Sequence, residues 1–279
     1  MLQGTPARAA TLISPMLHSV RENLSIPGFT DPFSSLSHLA GAAFFAWLLV
    51  PTFRRARQHH RSAGGIVSIF VFGFAAVFLL SMSGVYHLLP LSPEEGGLLA
   101  GGRGVIGAPG TGSARAVLQR LDHAAIFILI AGTFTPIHTL LFTGPLRWGV
   151  LAFLWILAVV GVTLKSIFFQ GTPPALGLWL YVAMGWIGII TMVAVARLAG
   201  LRSIVPLVAG GVVYTLGAIV EVVEPPSLIP GVIRAHEIFH VAVLGGLALH
   251  WRFIWNVIAI PPVPSAAASS VPTTPRLGP

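Results

Sequence analysis

The sequence predicts an all-α fold, a polytopic bundle of seven transmembrane helices, on three observations. Of its 279 residues 55% are hydrophobic and only 9% charged, with a mean hydropathy of +0.86, whereas a soluble domain carries about a quarter charged residues. Several apolar runs reach the roughly 20 residues that carry a helix across about 30 Å of hydrocarbon. The breaks between these runs collect Pro, Gly and Arg, residues that stop helices and mark loops.

In chain order the spans fall at about 34–52, 66–89, 119–141, 148–169, 175–196, 203–223 and 236–258. The first is closed by "PTFRRARQHHR", and the second runs out after "SMSGVYH". The third opens on "QRLDHAAIF" and stops at "FTGPLR"; the fourth stops at "FQGTPPA" and the fifth at "ARLAGLR". "EPPSLIPG" separates the sixth from the seventh, which begins with "HEIFH". Residues 1–30 read as a polar tail without the apolar stretch of a signal peptide. Residues 31–260 read as one membrane domain, interrupted at 90–117 by a Gly-rich connection expected to be flexible. Residues 261–279 are of low complexity and are expected to be disordered.

The composition also narrows the chemistry. The chain has no cysteine, which excludes disulfides, thiol nucleophiles and thiolate metal sites and leaves histidine and carboxylate. A net charge of +8 would point a soluble protein toward nucleic acid. Here the basic residues sit mostly in short loops beside apolar spans, where anchoring to the inner face of a membrane accounts for them.

On this map the polar residues gather at one end. His87 closes span two, Ser83 lies one turn before it, Asp122 opens span three, and His236 and His240 open span seven. The end of an even span and the start of an odd one share a side of the membrane, so three imidazoles and a carboxylate can meet in the bundle. His236 and His240, four apart, share a helix face and can hold one metal ion. His87 would complete a three-histidine site that leaves a tetrahedral position open for water. Asp122 could orient that water and accept its proton, and Ser83 could bond to the water or to a carbonyl oxygen. Each group also has a plainer use: a membrane histidine can bridge helices, a serine can be structural, and Asp122 can pair with Arg120, His123 or a lipid headgroup.

The remaining histidines fit less well. His123 points about 100° around the helix from Asp122 and reads as packing or an interfacial hydrogen bond. His138 and His250 lie toward the opposite ends of their spans, and His59 and His60 belong to a solvated basic hairpin. His38 is on the correct side, but Ser34 and Ser37 beside it suit capping or helix contact equally.

"SMSGVYH", "RLDHAAIFILIAGTFTP", "YVAMGW", "AGGVVYTLG" and "HEIFHVAVLGG", in that order over about 31–258, resemble the hemolysin III-like proteins of the progestin and adiponectin receptor superfamily. The resemblance implies an adiponectin-receptor-like bundle with one zinc ion held by His87, His236 and His240, a water between the metal and Asp122, and Ser83 close by. A distant likeness to alkaline ceramidases implies hydrolysis of a lipid amide, with membrane lipid and released fatty acid as the molecules handled and no nucleic acid. It further implies an integral protein of the bacterial inner (plasma) membrane with a cytosolic N-terminus. The hairpin carrying Arg54, Arg55, Arg57 and Arg61 runs against that orientation, and the sequence leaves sidedness open. Where the family has Glu and Asn before its first-span histidine, this chain has Asp31 and Ser34 before His38.

Four mechanisms come into question. Metal-assisted hydrolysis of a lipid amide or ester uses every group named above. A non-catalytic receptor or structural zinc protein uses the same three ligands. A pore would need polar residues through the full thickness of the membrane, and they cluster on one side. The spelling H-E-x-x-H invites a zinc protease with Glu237 as base, but no Asp or Glu follows Glu237 to serve as the acidic third ligand.

Overall fold

The computed structural model describes residues 31–89, 114–229 and 232–261. The expectations for the two tails and for most of the 90–117 connection lie outside the described residues. Among the described residues eight α-helices make up seven spans long and apolar enough to cross a membrane, and there is no sheet. The chain is an integral membrane protein. The helices are α1 Pro32–Gln58, α2 Ala63–Leu88, α3 Ala114–Leu141, α4 Gly144–Ser166, α5 Pro174–Trp186, α6 Gly188–Ala199, α7 Val205–Val223 and α8 Ala235–Val257. α5 and α6 together form the fifth span, interrupted near Ile187.

Local chemistry sets the ends. Pro32, Pro145, Pro174 and Pro206 stand in the first turns of α1, α4, α5 and α7, where a missing N–H costs nothing. Ser62 caps α2, its Oγ accepting from the Gly65 N–H at 3.2 Å. α1 runs six residues past the expected end at 52 and α3 starts five before the expected 119. Hydropathy falls off at Arg54–Gln58 and at Ala114–Gln119, but the backbone there remains helical.

Consecutive spans α1 to α4 pack side by side, α7 packs along α8, and α8 closes the bundle onto α1 and α3. α3 is the central helix, with Ala125, Ala131 and Ile137 fully buried. Trp47 (65% exposed) and Ile156 (62%) face outward instead, the inverse of a soluble surface and the arrangement a lipid solvent requires. At the end of the bundle away from His87, Arg55 donates to the Trp255 carbonyl, and Arg61 to those of Val257, Ile258 and Ile260. These bonds satisfy carbonyls that the end of α8 leaves without intrahelical partners. His59 and His60 are exposed, as their place in the hairpin predicts.

Candidate metal centre

The opposite end holds the cluster. His87 ends α2 and His236 and His240 begin α8, and each offers a ring nitrogen within 4.8 Å of the others. His236 Nε2 lies 3.3 Å from His87 Nε2 and 3.1 Å from His240 Nε2. His87 and His240 are buried, while the His236 side chain keeps 34% of its surface open.

The back of each ring decides what those nitrogens are. Nδ1–H of His87 donates to Asp31 Oδ2 at 3.2 Å, and Nδ1–H of His236 donates to Glu221 Oε1 at 3.1 Å. An ionised carboxylate only accepts, so both protons reside on Nδ1 and a neutral ring presents a lone pair at Nε2. Two such lone pairs 3.3 Å apart cannot hydrogen-bond each other; they repel unless a cation lies between them. With metal–nitrogen bonds of 2.0–2.1 Å, the edge of a tetrahedral zinc site is about 3.3 Å, which two of the three separations match, the third lying within 4.8 Å. The residues present therefore fit a zinc ion. A carboxylate behind a ligating histidine also fixes its tautomer and raises its basicity.

Asp31 is itself held in place. Arg234 Nη2 stands 3.5 Å from Asp31 Oδ1, and the Asp31 N–H donates to the His87 carbonyl at 3.2 Å. Burial pushes the Asp31 carboxyl up, but the hydrogen bond from His87 and the Arg234 guanidinium outweigh it and hold the carboxyl below its ordinary range.

Glu237 has another task. Its Oε2 accepts the Arg234 backbone N–H at 2.9 Å and lies 3.7 Å from Arg234 Nε, so it ties down the first turn of α8, as Glu at the third position of a helix commonly does. That occupation accounts for the carboxylate without a role at the cluster.

The structure brings together His87, His236 and His240 from the sequence reading. Ser83 lies buried one turn before His87. Asp122 stands outside the trio, partly exposed at the same end of the bundle, close enough to Tyr86 and Tyr181 to act on both electrostatically. Among the described residues it makes no ion pair with Arg120 or His123. His123 Nδ1–H donates to the Gln119 carbonyl at 2.8 Å, and His250 Nε2–H to that of Leu207 at 3.2 Å. His138 is fully buried, 2.8 Å from both the Leu146 carbonyl and Thr191 Oγ1, and pins α3 to α4 and α6. All three rings are hydrogen-bonded away from the cluster. Glu221 was missed; the available signal was an acidic residue in the last turn of an even span, on the cluster's side.

Fold and site together define a seven-span helical membrane protein with a trihistidine cluster at one end. The chain belongs to the family described as Haemolysin-III related, which matches residues 29–97 and 110–251. It is 29% identical over 216 residues to Hemolysin-3 of Bacillus cereus, covering 77% of this chain and 86% of that one. It is 31% identical over 191 residues to a Hemolysin-3 homolog of Bacillus subtilis (strain 168), covering 68% and 76%. To the human Monocyte to macrophage differentiation factor it is 22% identical over 224 residues, covering 79% and 84%.

Proposed function

We propose that this chain is a zinc-dependent hydrolase of a membrane lipid amide or ester, and that its family shares the bundle and site of the wider progestin and adiponectin receptor superfamily. The observation that carries the metal is the convergence of Nε2 atoms at 3.1 and 3.3 Å with two Nδ1 protons directed onto carboxylates. Zinc bound there supplies a Lewis acid that polarises a carbonyl and makes a water more acidic. Among the described residues no fourth His, Asp or Glu joins the trio, which leaves a coordination position for a small ligand. The exposed edge of His236 gives access from outside the bundle. Asp122 takes the proton from the attacking water, and Ser83 steadies the carbonyl oxygen.

A partly open cavity of about 170 Å³, which none of the cluster histidines, Asp122 or Ser83 lines, could take the apolar part of a lipid. Its lining is almost wholly apolar and runs from Phe239, beside His240, past Leu129 and Val243 to His250 at the far end of α8. Such an apolar pocket suits an acyl chain. A metal that only ties α2 to α8 would use the same ligands, and Asp122 separates the two readings.

The test is zinc content and lipid turnover of the purified full chain. Zinc near one equivalent in the parent, lost in folded His87→Ala, His236→Ala and His240→Ala proteins, is expected; retention in His87→Ala would sink the three-ligand site. Release of fatty acid from a panel of N-acyl lipids should fall at least 100-fold in Asp122→Ala with zinc retained. Equal release by both proteins would remove Asp122 from the chemistry, and no release by the parent would favour the structural metal.

A further inference from the structure

The back nitrogens of the three cluster histidines are not served alike. His87 has Asp31 and His236 has Glu221, but Nδ1 of His240 is buried without a hydrogen-bond partner. Beside it lies His38 of α1, its ring stacked on His240 with centroids 4.0 Å apart and planes 25° from parallel. Neither His38 nitrogen makes a hydrogen bond of ordinary geometry, the His240 backbone being the polar group close enough to act on the ring, and the hydroxyl of Ser34, one turn earlier on the same face of α1, is buried without a partner. Exposures of 0% for Ser34 and 3% for both His38 and His240 close these atoms off from bulk solvent.

Buried polar groups in folded proteins nearly always have a partner. Three of these atoms, the Ser34 hydroxyl, one His38 nitrogen and Nδ1 of His240, can therefore be served by a shared one. A stacked pair cannot bond ring to ring, because the nitrogens lie at the ring edges and hydrogen bonds run in the ring plane. His38 is not a further ligand to the same ion, since the convergent nitrogens belong to His87, His236 and His240. Packing alone would be met by an aromatic or aliphatic side chain that brings no nitrogens to bury. What reaches from one ring edge to the other, donating and accepting at once, is a single water molecule with two to four polar neighbours.

We propose that Ser34 and His38 hold a water against Nδ1 of His240, so that α1 supplies the third back-side hydrogen bond of the trihistidine centre. This rests on the metal reading of the cluster. The water accepts the Nδ1 proton of His240 and fixes the tautomer that leaves Nε2 free, the task Asp31 and Glu221 perform for the other two rings. His38 is a positioning residue: it acts on the metal through His240.

The experiment is zinc affinity by chelator competition on the full chain in detergent, together with the melting temperature of the metal-free protein. His38→Phe keeps the stacked ring and removes both nitrogens; it should weaken zinc 10- to 100-fold without lowering the metal-free melting temperature. His38→Gln, which restores a hydrogen-bonding side chain, should recover most of the affinity. Ser34→Ala should weaken zinc in the same direction, and the double variant should be no worse than His38→Phe, because both residues serve one water. Affinity within twofold of the parent in His38→Phe would overturn the proposal, as would equal losses in His38→Phe and His38→Gln. If His38→Phe fails to fold, unchanged affinity in Ser34→Ala overturns it. A parent that binds no zinc would overturn the metal reading and this proposal together, whereas tight zinc in both parent and His38→Phe overturns this proposal alone.

Discussion

Glu221 Oε1 stands 3.1 Å from Nδ1 of His236, joining the last turn of α7 to the first turn of α8 across a connection rich in proline. The carboxylate sets which nitrogen of His236 carries the proton and so which one faces the cluster. Glu221→Gln keeps an acceptor at that position but removes its charge. The expected result is zinc affinity lowered by about 10- to 100-fold with the fold intact, measured by chelator competition. Unchanged affinity would mean that His236 takes its tautomer from elsewhere.

Asp31 offers a test by pH. Its folded carboxyl is held below the ordinary value of 3.8, so its contribution to stability is complete above that value and is lost as pH falls through the lower folded one. In metal-free protein, the melting temperature of the parent should therefore fall below about pH 4 more steeply than that of Asp31→Asn. The two curves should converge at the acid end. Parallel curves throughout would remove the His87 and Arg234 contacts as the source of the shift.

Glu221 marks where the sequence stopped being legible. The seven spans could be read because a lipid solvent demands long apolar helices whatever their neighbours. The trihistidine cluster could be read because His236 and His240 are four apart on one helix and because alternation of spans puts His87 at the same end. Both arguments need only chain order. Glu221 and the His38 stack depend on which helix lies beside which and at what rotation, and no spacing within one helix encodes that. The span ends were misplaced for a related reason: the turns at Arg54–Gln58 and Ala114–Gln119 are polar, and hydropathy marks where a helix leaves hydrocarbon, not where it stops.

Glu237 separates the cluster from the protease that its spelling imitates. As an acceptor for the Arg234 N–H, it should be replaceable by Gln, which can take the same bond, with zinc content and hydrolytic activity retained. Glu237→Ala leaves that N–H without its partner, and a loss of about 1–2 kcal/mol in stability is expected from denaturant unfolding, again with zinc retained. Loss of hydrolysis in Glu237→Gln at full zinc occupancy would return Glu237 to the chemistry.

Gly217 tests how closely the site depends on helix packing. A methyl group built at this position would fall 2.5 Å from Cβ of Ala242, and alanine has no rotamer with which to yield. α7 and α8 would have to separate, at a cost of about 1–3 kcal/mol for such overpacking. Glu221 lies one turn beyond Gly217 on α7, so the same separation draws its carboxylate away from His236. Gly217→Ala should therefore lower both melting temperature and zinc affinity, the latter in the same direction as Glu221→Gln. Gly245→Ala lies at the same interface, but its added methyl would meet Val213 Cγ1 at an ordinary 3.7 Å and should change neither. A Gly217→Ala protein that loses stability but keeps parental zinc affinity would show that the bond from His236 to Glu221 survives the displacement, and that α7 positions its carboxylate independently of the glycine contact below it.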